Sequence, residues 1–199
     1  MRPRTAAAFV ATLLVMALAA PAGAAAPEQV DIMNQGGVGV YAKDAVSVVR
    51  QPNSLQVKAS VPTPQPGTYV YAPGTVAGSP EVFTLWAFVF NYPDLCDGPC
   101  DGNDLGLGAE ALGGAYNVGG HVAGAGGQLT ITGHINVGDP AGAPPPIFVG
   151  APLESPSTAE IHVALAPHGA LDPSTLPGEL SMPVGNPGCG CWWVGVLIP

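Results

Sequence analysis

Beyond Lys58 the chain contains neither lysine nor arginine, although eleven aspartates and glutamates remain there. A nucleic-acid surface needs cations to neutralise phosphates, so nucleic acid is excluded as a partner. Attachment to anionic lipid through a basic patch is excluded for the same reason. Neighbours along the chain cannot hold these acids by salt bridges. Any that is buried must be hydrogen-bonded, protonated or bound to a metal ion.

Other absences narrow the field further. The sequence has no Cys-x-x-Cys, which removes a thioredoxin-type redox role. It has no G-x-S-x-G, no H-E-x-x-H and no phosphate-binding P-loop, so no local motif selects a nucleophile or a catalytic metal. No repeat recurs at a fixed period. After the first two dozen residues no apolar run approaches the length needed to cross a bilayer, so no membrane anchor is expected.

What is present begins with a targeting segment. Arg2 and Arg4 precede an apolar run from Ala6 to Ala20, and Ala22-Gly23-Ala24 offers small residues where a signal peptidase reads. Residues 1–24 are therefore expected to be a signal peptide, cleaved near Ala24, and the product to be secreted, extracellular or periplasmic. The remaining chain carries only Lys43, Arg50 and Lys58 against 14 acids, a net charge of about −11.

Glycine and proline number 28 and 23 of 199 residues, a level at which disorder must be considered. Against disorder stands a hydrophobic content of 47%, gathered into runs with a clear period. Residues 25–44 show little pattern and are read as an irregular N-terminal segment. From 45 to 199 the chain reads as a single domain. Leu55, Val57, Ala59 and Val61 alternate with polar residues, which predicts a half-buried strand. "VFTLWAFVFN", 82–91, is apolar on both faces and reads as the central strand. A Gly-rich centre at 124–127 predicts a hairpin that sets His121 opposite Thr130, with Leu129, Ile131, Ile135 and Val137 facing in. Ala159, Ile161, Val163 and Leu165 line one face of a further strand, and "CWWVGVLI" closes the chain as another. The expected fold class is all-β: an antiparallel β-sandwich of about seven or eight short strands with long Gly/Pro-rich loops.

Four cysteines in an exported chain read as two disulfides among Cys96, Cys100, Cys189 and Cys191. Local pairing is open to Cys96–Cys100 across a Gly-Pro turn. A Cys189–Cys191 bridge would close a very small ring, and crossed pairings would tie the loop to the last strand. A zinc site using all four thiols is the alternative, although their spacings fit the usual pattern poorly. In the same loop Asp97, Asp101 and Asp104 admit two readings: hard oxygen ligands for calcium, or the ordinary residues of turns.

The histidines raise the other metal question. Glu160 and His162 are two apart on a strand and so point the same way. If that strand neighbours the hairpin, His121 and His162, with Glu160 or His168, have the right donor types for a divalent metal such as Zn²⁺ or Cu²⁺. The plainer reading makes them ordinary surface or satisfied histidines. His134 is too far along its strand to join.

"VPTPQPGTYVY", "PEVFTLWAFVFNYP", "GHVAGAGG" and "AEIHV" followed by "HG" resemble a group of uncharacterised exported bacterial proteins. A second similarity is to chordin-type (CHRD) domains, carried by Ile161-His162 and Pro177-Gly178-Glu179-Leu180; their His-x-His and the arginine after the Glu are missing here. The second resemblance implies a β-rich extracellular module, and neither implies an activity. Two function classes follow: a binding or structural module, or a metal-dependent extracellular enzyme with a His/Glu site. The exported form is expected to start at Ala25 and to weigh about 4 Da less than its fully reduced chain, one hydrogen being lost per bridged cysteine. Intact-mass measurement checks this, and free thiols on the folded protein would contradict it.

Overall fold

The computed structural model describes residues 26–71, 73–124, 126–140, 150–181, 192–194 and 197. The signal segment and the pairing of Cys189 and Cys191 lie outside the described residues. Eight strands are present: β1 Glu28–Met33, β2 Val40–Gln51, β3 Ser54–Pro62, β4 Glu81–Phe90, β5 Gly113–Ala123, β6 Gln128–Asn136, β7 Glu160–Ala170 and β8 Trp192–Val194. The only helical elements among the described residues are single 3-10 turns.

The fold is an antiparallel β-sandwich. Strands β1-β2-β3-β6 form one layer and β5-β4-β7 the other. The three-residue β8 hydrogen-bonds to β7 on one side and to β1 on the other, which joins the layers into one continuous ladder. The core fills the space between them. Leu55, Val57, Ala59 and Val61 of β3, Phe83, Leu85, Ala87 and Val89 of β4, and Ile161, Val163 and Leu165 of β7 all belong to one buried cluster. These are the rows that the sequence alternation predicts, because a period of two places every second side chain on the same face.

Three expectations are corrected. Residues 25–44 are not irregular: Glu28 to Met33 forms β1, and β2 starts at Val40. β1 pairs with β2 and β8, and a register break after Val30 erases the clean alternation that would have revealed it in the sequence. Next, the predicted hairpin is not a hydrogen-bonded pair. β5 ladders with β4 and β6 with β3, so the Gly-rich turn carries the chain from one layer to the other. Gly133 lets the two strands approach at this crossing, since a Cβ there would lie 2.0 Å from the Val118 carbonyl oxygen. Lastly, Val137 lies past the end of β6 and is exposed, whereas Leu129, Ile131 and Ile135 are buried as expected.

Arg50 stands on the row of β2 that also holds the buried Val46 and Val48, opposite Leu55 of β3. Its guanidinium pairs with Glu28 Oε1 at 2.7 Å and donates to the carbonyls of Pro156, Ala159 and Leu197 at 2.6, 2.7 and 3.3 Å. One side chain thus ties β1, β2, the approach to β7 and the C-terminal segment together. Replacing Arg50 with Leu leaves three carbonyls and the partly exposed Glu28 without this donor, and should destabilise the fold by about 2–3 kcal/mol. Arg50→Lys should recover only part of the loss, because an ammonium cannot span the fork. Urea unfolding of the two variants checks the order, and a loss below 1 kcal/mol in Arg50→Leu would contradict it.

Candidate functional site

The outward face of the β4/β7 layer is also buried, which is why β4 reads as apolar on both faces. Register sets Phe90 beside Glu160, Phe88 beside His162, Trp86 beside Ala164 and Thr84 beside Ala166. Loops rather than solvent cover this row. The Cys/Asp loop lies over one end, where Phe88, Phe90, Cys100, Asp101, Gly102, Leu105 and His162 line a small cavity of about 230 Å³. The segment 73–76 and the turn containing Glu179 cover the other, around His168.

Cys96 and Cys100 form a disulfide. Its buried end, Cys100, donates its backbone N–H to Glu160 Oε1 at 2.9 Å. His162 Nε2 lies 2.7 Å from the same oxygen and donates to it, and the His162 ring packs on Phe90 at 5.2 Å between centroids. Glu160 is only 3% exposed. A disulfide-pinned loop therefore seats on a buried carboxyl that β7 presents.

The aspartates of that loop have a different task. Asp101 accepts from the Asn103 N–H at 2.7 Å, and Asp104 accepts from the Asp101 N–H at 2.8 Å, a reciprocal capping box around the 3-10 turn Gly102–Asp104. The N-cap of this turn is Asp101. Asp97 is exposed. The carboxyl oxygens of Asp97, Asp101 and Asp104 do not converge as a calcium site would require. Among the described residues the one group of three candidate donors within 4.8 Å is Cys96, Cys100 and Asp104, and its two sulfurs are bonded to each other. That bond also removes the four-thiol zinc site.

The His/Glu set separates too. His162 pairs with Phe88 and His121 with Phe83, on opposite sides of β4. They lie two strands and five residues apart, roughly 19 Å by strand geometry. Phe83 belongs to the core row and Phe88 to the outer one, so the histidines do not share a face. His168 sits six residues beyond His162 on β7, again roughly 20 Å away. Of the four candidates only Glu160 and His162 meet. The expectation failed because it rested on a β5–β6 hairpin beside β7, and β4 stands between them. His134 is exposed on the other layer, opposite Gln56.

Glu160 also lines a second opening, together with residues that local patterns did not single out. A cleft of about 920 Å³ is lined by Asn91, Tyr92, Pro93, Asp94, Leu95, Gly98, Pro99, Thr158 and Glu160. Asn91, at the end of β4, fixes one wall. Its Nδ2 donates to the carbonyls of Leu112 and Pro152 at 2.9 Å each, and its Oδ1 accepts from the Glu154 N–H at 2.8 Å. Tyr92 is exposed and donates its hydroxyl to Glu154 Oε2 at 2.5 Å. Asn91's partners are remote in sequence, so no local spacing could have revealed it.

Two further buried groups titrate abnormally. Glu81 accepts from the Tyr69 hydroxyl, and burial pushes its carboxyl above the usual range against that bond. His168 is the extra residue of a β-bulge, between Phe83↔Pro167 and Val82↔Gly169, and its Nε2 lies 2.7 Å from Thr84 Oγ1. Trp86 Nε1 donates to the same hydroxyl at 2.9 Å. A threonine in an otherwise apolar run was the sequence signal for this relay.

The chain matches no family model, no curated protein and no solved structure. Its function must be argued from the site itself.

Burial holds the His168 imidazole down to about 4. Between that value and its unfolded pKa near 6.5 the unfolded chain binds the extra proton, so stability falls as pH falls through this window. The group's full effect, reached below about pH 4, is on the order of 3 kcal/mol. Glu81 acts in the opposite sense: its raised pKa favours the fold at low pH and loses that contribution as pH rises. A His168→Asn variant should therefore show a shallower loss of stability from pH 6.5 to 4.5 than the parent. Denaturant unfolding at both pH values measures this, and equal slopes would refute the assignment.

Proposed function

We propose that the protein is an exported β-sandwich binding module and that its ligand site is the cleft between the 91–99 segment and the start of β7. One observation carries the reading. The cleft, about 920 Å³, has one wall on a loop stapled by Cys96–Cys100 and the other on the regular strand β7. That volume suits small-molecule sites, and a rigid scaffold presenting a pinned loop is a common way to build one. Export is supported by the basic and apolar start of the chain and by the disulfide, a bond that persists in oxidising compartments. No helix among the described residues is long and apolar enough to cross a membrane.

The metal-dependent enzyme reading has less support. It needs three ligands in contact, and of its residues only Glu160 and His162 are joined.

Fragment mapping on isotope-labelled protein is the direct test. Small amphipathic fragments should shift backbone resonances of Tyr92, Leu95, Gly98 and Thr158, and filling the cleft by Thr158→Trp should abolish those shifts while the β-sheet spectrum persists. Shifts scattered over the surface, or unchanged in Thr158→Trp, would overturn the assignment. A stoichiometric transition metal that is lost in His162→Ala would favour the enzyme instead.

A further inference from the structure

We infer that the cleft takes a small organic cation: a primary ammonium or guanidinium on an apolar stem. The inference rests on the cleft being the ligand site and adds its chemical class. Three observations lead to it.

The first is Glu160. It is buried, yet it lines the cleft. Both of its contacts, the Cys100 N–H and His162 Nε2, fall on Oε1. Among the described residues no donor reaches Oε2, that atom is not sealed from solvent, and Glu160 lines the cleft. A buried carboxyl oxygen without a donor is costly, and an N–H-bearing ligand relieves that cost.

The second is the absence of competing cations. No lysine or arginine follows Lys58 in the chain. Arg50 reaches the Ala159 carbonyl, but it pairs with Glu28, donates to two further carbonyls and does not line the cleft. His162 is already committed to Oε1. Asp94, exposed on the rim, adds a second carboxyl, and Glu154 stands behind the Tyr92 hydroxyl.

The third is the lining between the acids. Tyr92, Pro93, Leu95 and Pro99 offer apolar surface, and an exposed tyrosine ring attracts a cation over its face. An anion would meet only like charge here, and a bare inorganic cation would leave this surface unused. A free small molecule is the occupant that the cleft's volume fits.

Calorimetry and NMR with phenethylamine, and with 2-phenylethanol as its neutral counterpart, test the proposal. Phenethylamine should shift Tyr92, Leu95 and Thr158 and bind at least tenfold more tightly than the alcohol, the worth of one charge-assisted hydrogen bond. Added salt should weaken the amine and leave the alcohol unchanged. Glu160→Gln should remove most of the preference. Should that variant fold poorly, Asp94→Asn on the exposed rim should still reduce it several-fold. Equal binding of amine and alcohol at the cleft would overturn the cation inference and leave the binding-module reading standing. No shift at the cleft with either probe would overturn both. A blocked tripeptide, acetyl-Gly-Lys-Gly-amide, that binds the same residues tenfold more tightly than phenethylamine would replace the free cation with a basic protein segment.

Discussion

Arg50 is the one cation on a core-facing row, and the closure of the sandwich depends on it. A single side chain holds Glu28 of β1 and the carbonyls of Pro156, Ala159 and Leu197, which come from both layers and from the C-terminal segment. The two sheets are otherwise stitched at that side by the short strand β8. Hydrophobic burial brings the layers together without direction. A planar fork with fixed donor angles says how they align, and it does so at the start of β7, where Glu160 and His162 stand.

Past Lys58 the chain must manage its acids without cations, and it does so with hydroxyls and backbone N–H groups. Glu154 takes Tyr92, Glu81 takes Tyr69 and Glu179 takes Thr175. Asp101, Asp104, Asp139 and Asp172 accept from backbone N–H groups within three residues of themselves. Each of these aspartate contacts consumes an oxygen locally and shapes a turn. For Asp97, Asp101 and Asp104 the sequence left calcium and turn chemistry both open, because composition shows how many oxygens there are, not how many remain unspent. Glu160 differs because both of its donors fall on one oxygen.

Legibility in the sequence followed the range of the interaction. Rows such as Leu55-Val57-Ala59-Val61 and Ile161-Val163-Leu165 were readable because a strand's period is written in consecutive residues. The local bridge Cys96–Cys100 was one of the open pairings, and compartment favoured a disulfide there. Strand neighbours were not readable. Nothing within β5, β6 or β7 says that the Gly-rich turn crosses layers or that β4 separates His121 from His162. Asn91 and Arg50 were invisible as pins for the same reason: their partners lie tens of residues away, and a polar side chain's worth is set by what the fold brings to it.

The Cys/Asp loop is the disulfide-bridged turn that one of its sequence readings offered, and it has one further contact that no local pattern showed. Its aspartates cap a turn, its disulfide shortens the loop, and its deepest backbone N–H is delivered to Glu160. A loop without the bridge would pay more conformational entropy to hold Cys100 in place. With it, the same segment forms one wall of the cleft through Leu95, Gly98 and Pro99 while its buried end fixes the carboxyl on the other wall. The bridge thus acts on Glu160 through geometry: it helps set which of its oxygens is occupied, and thereby which one is left without a donor.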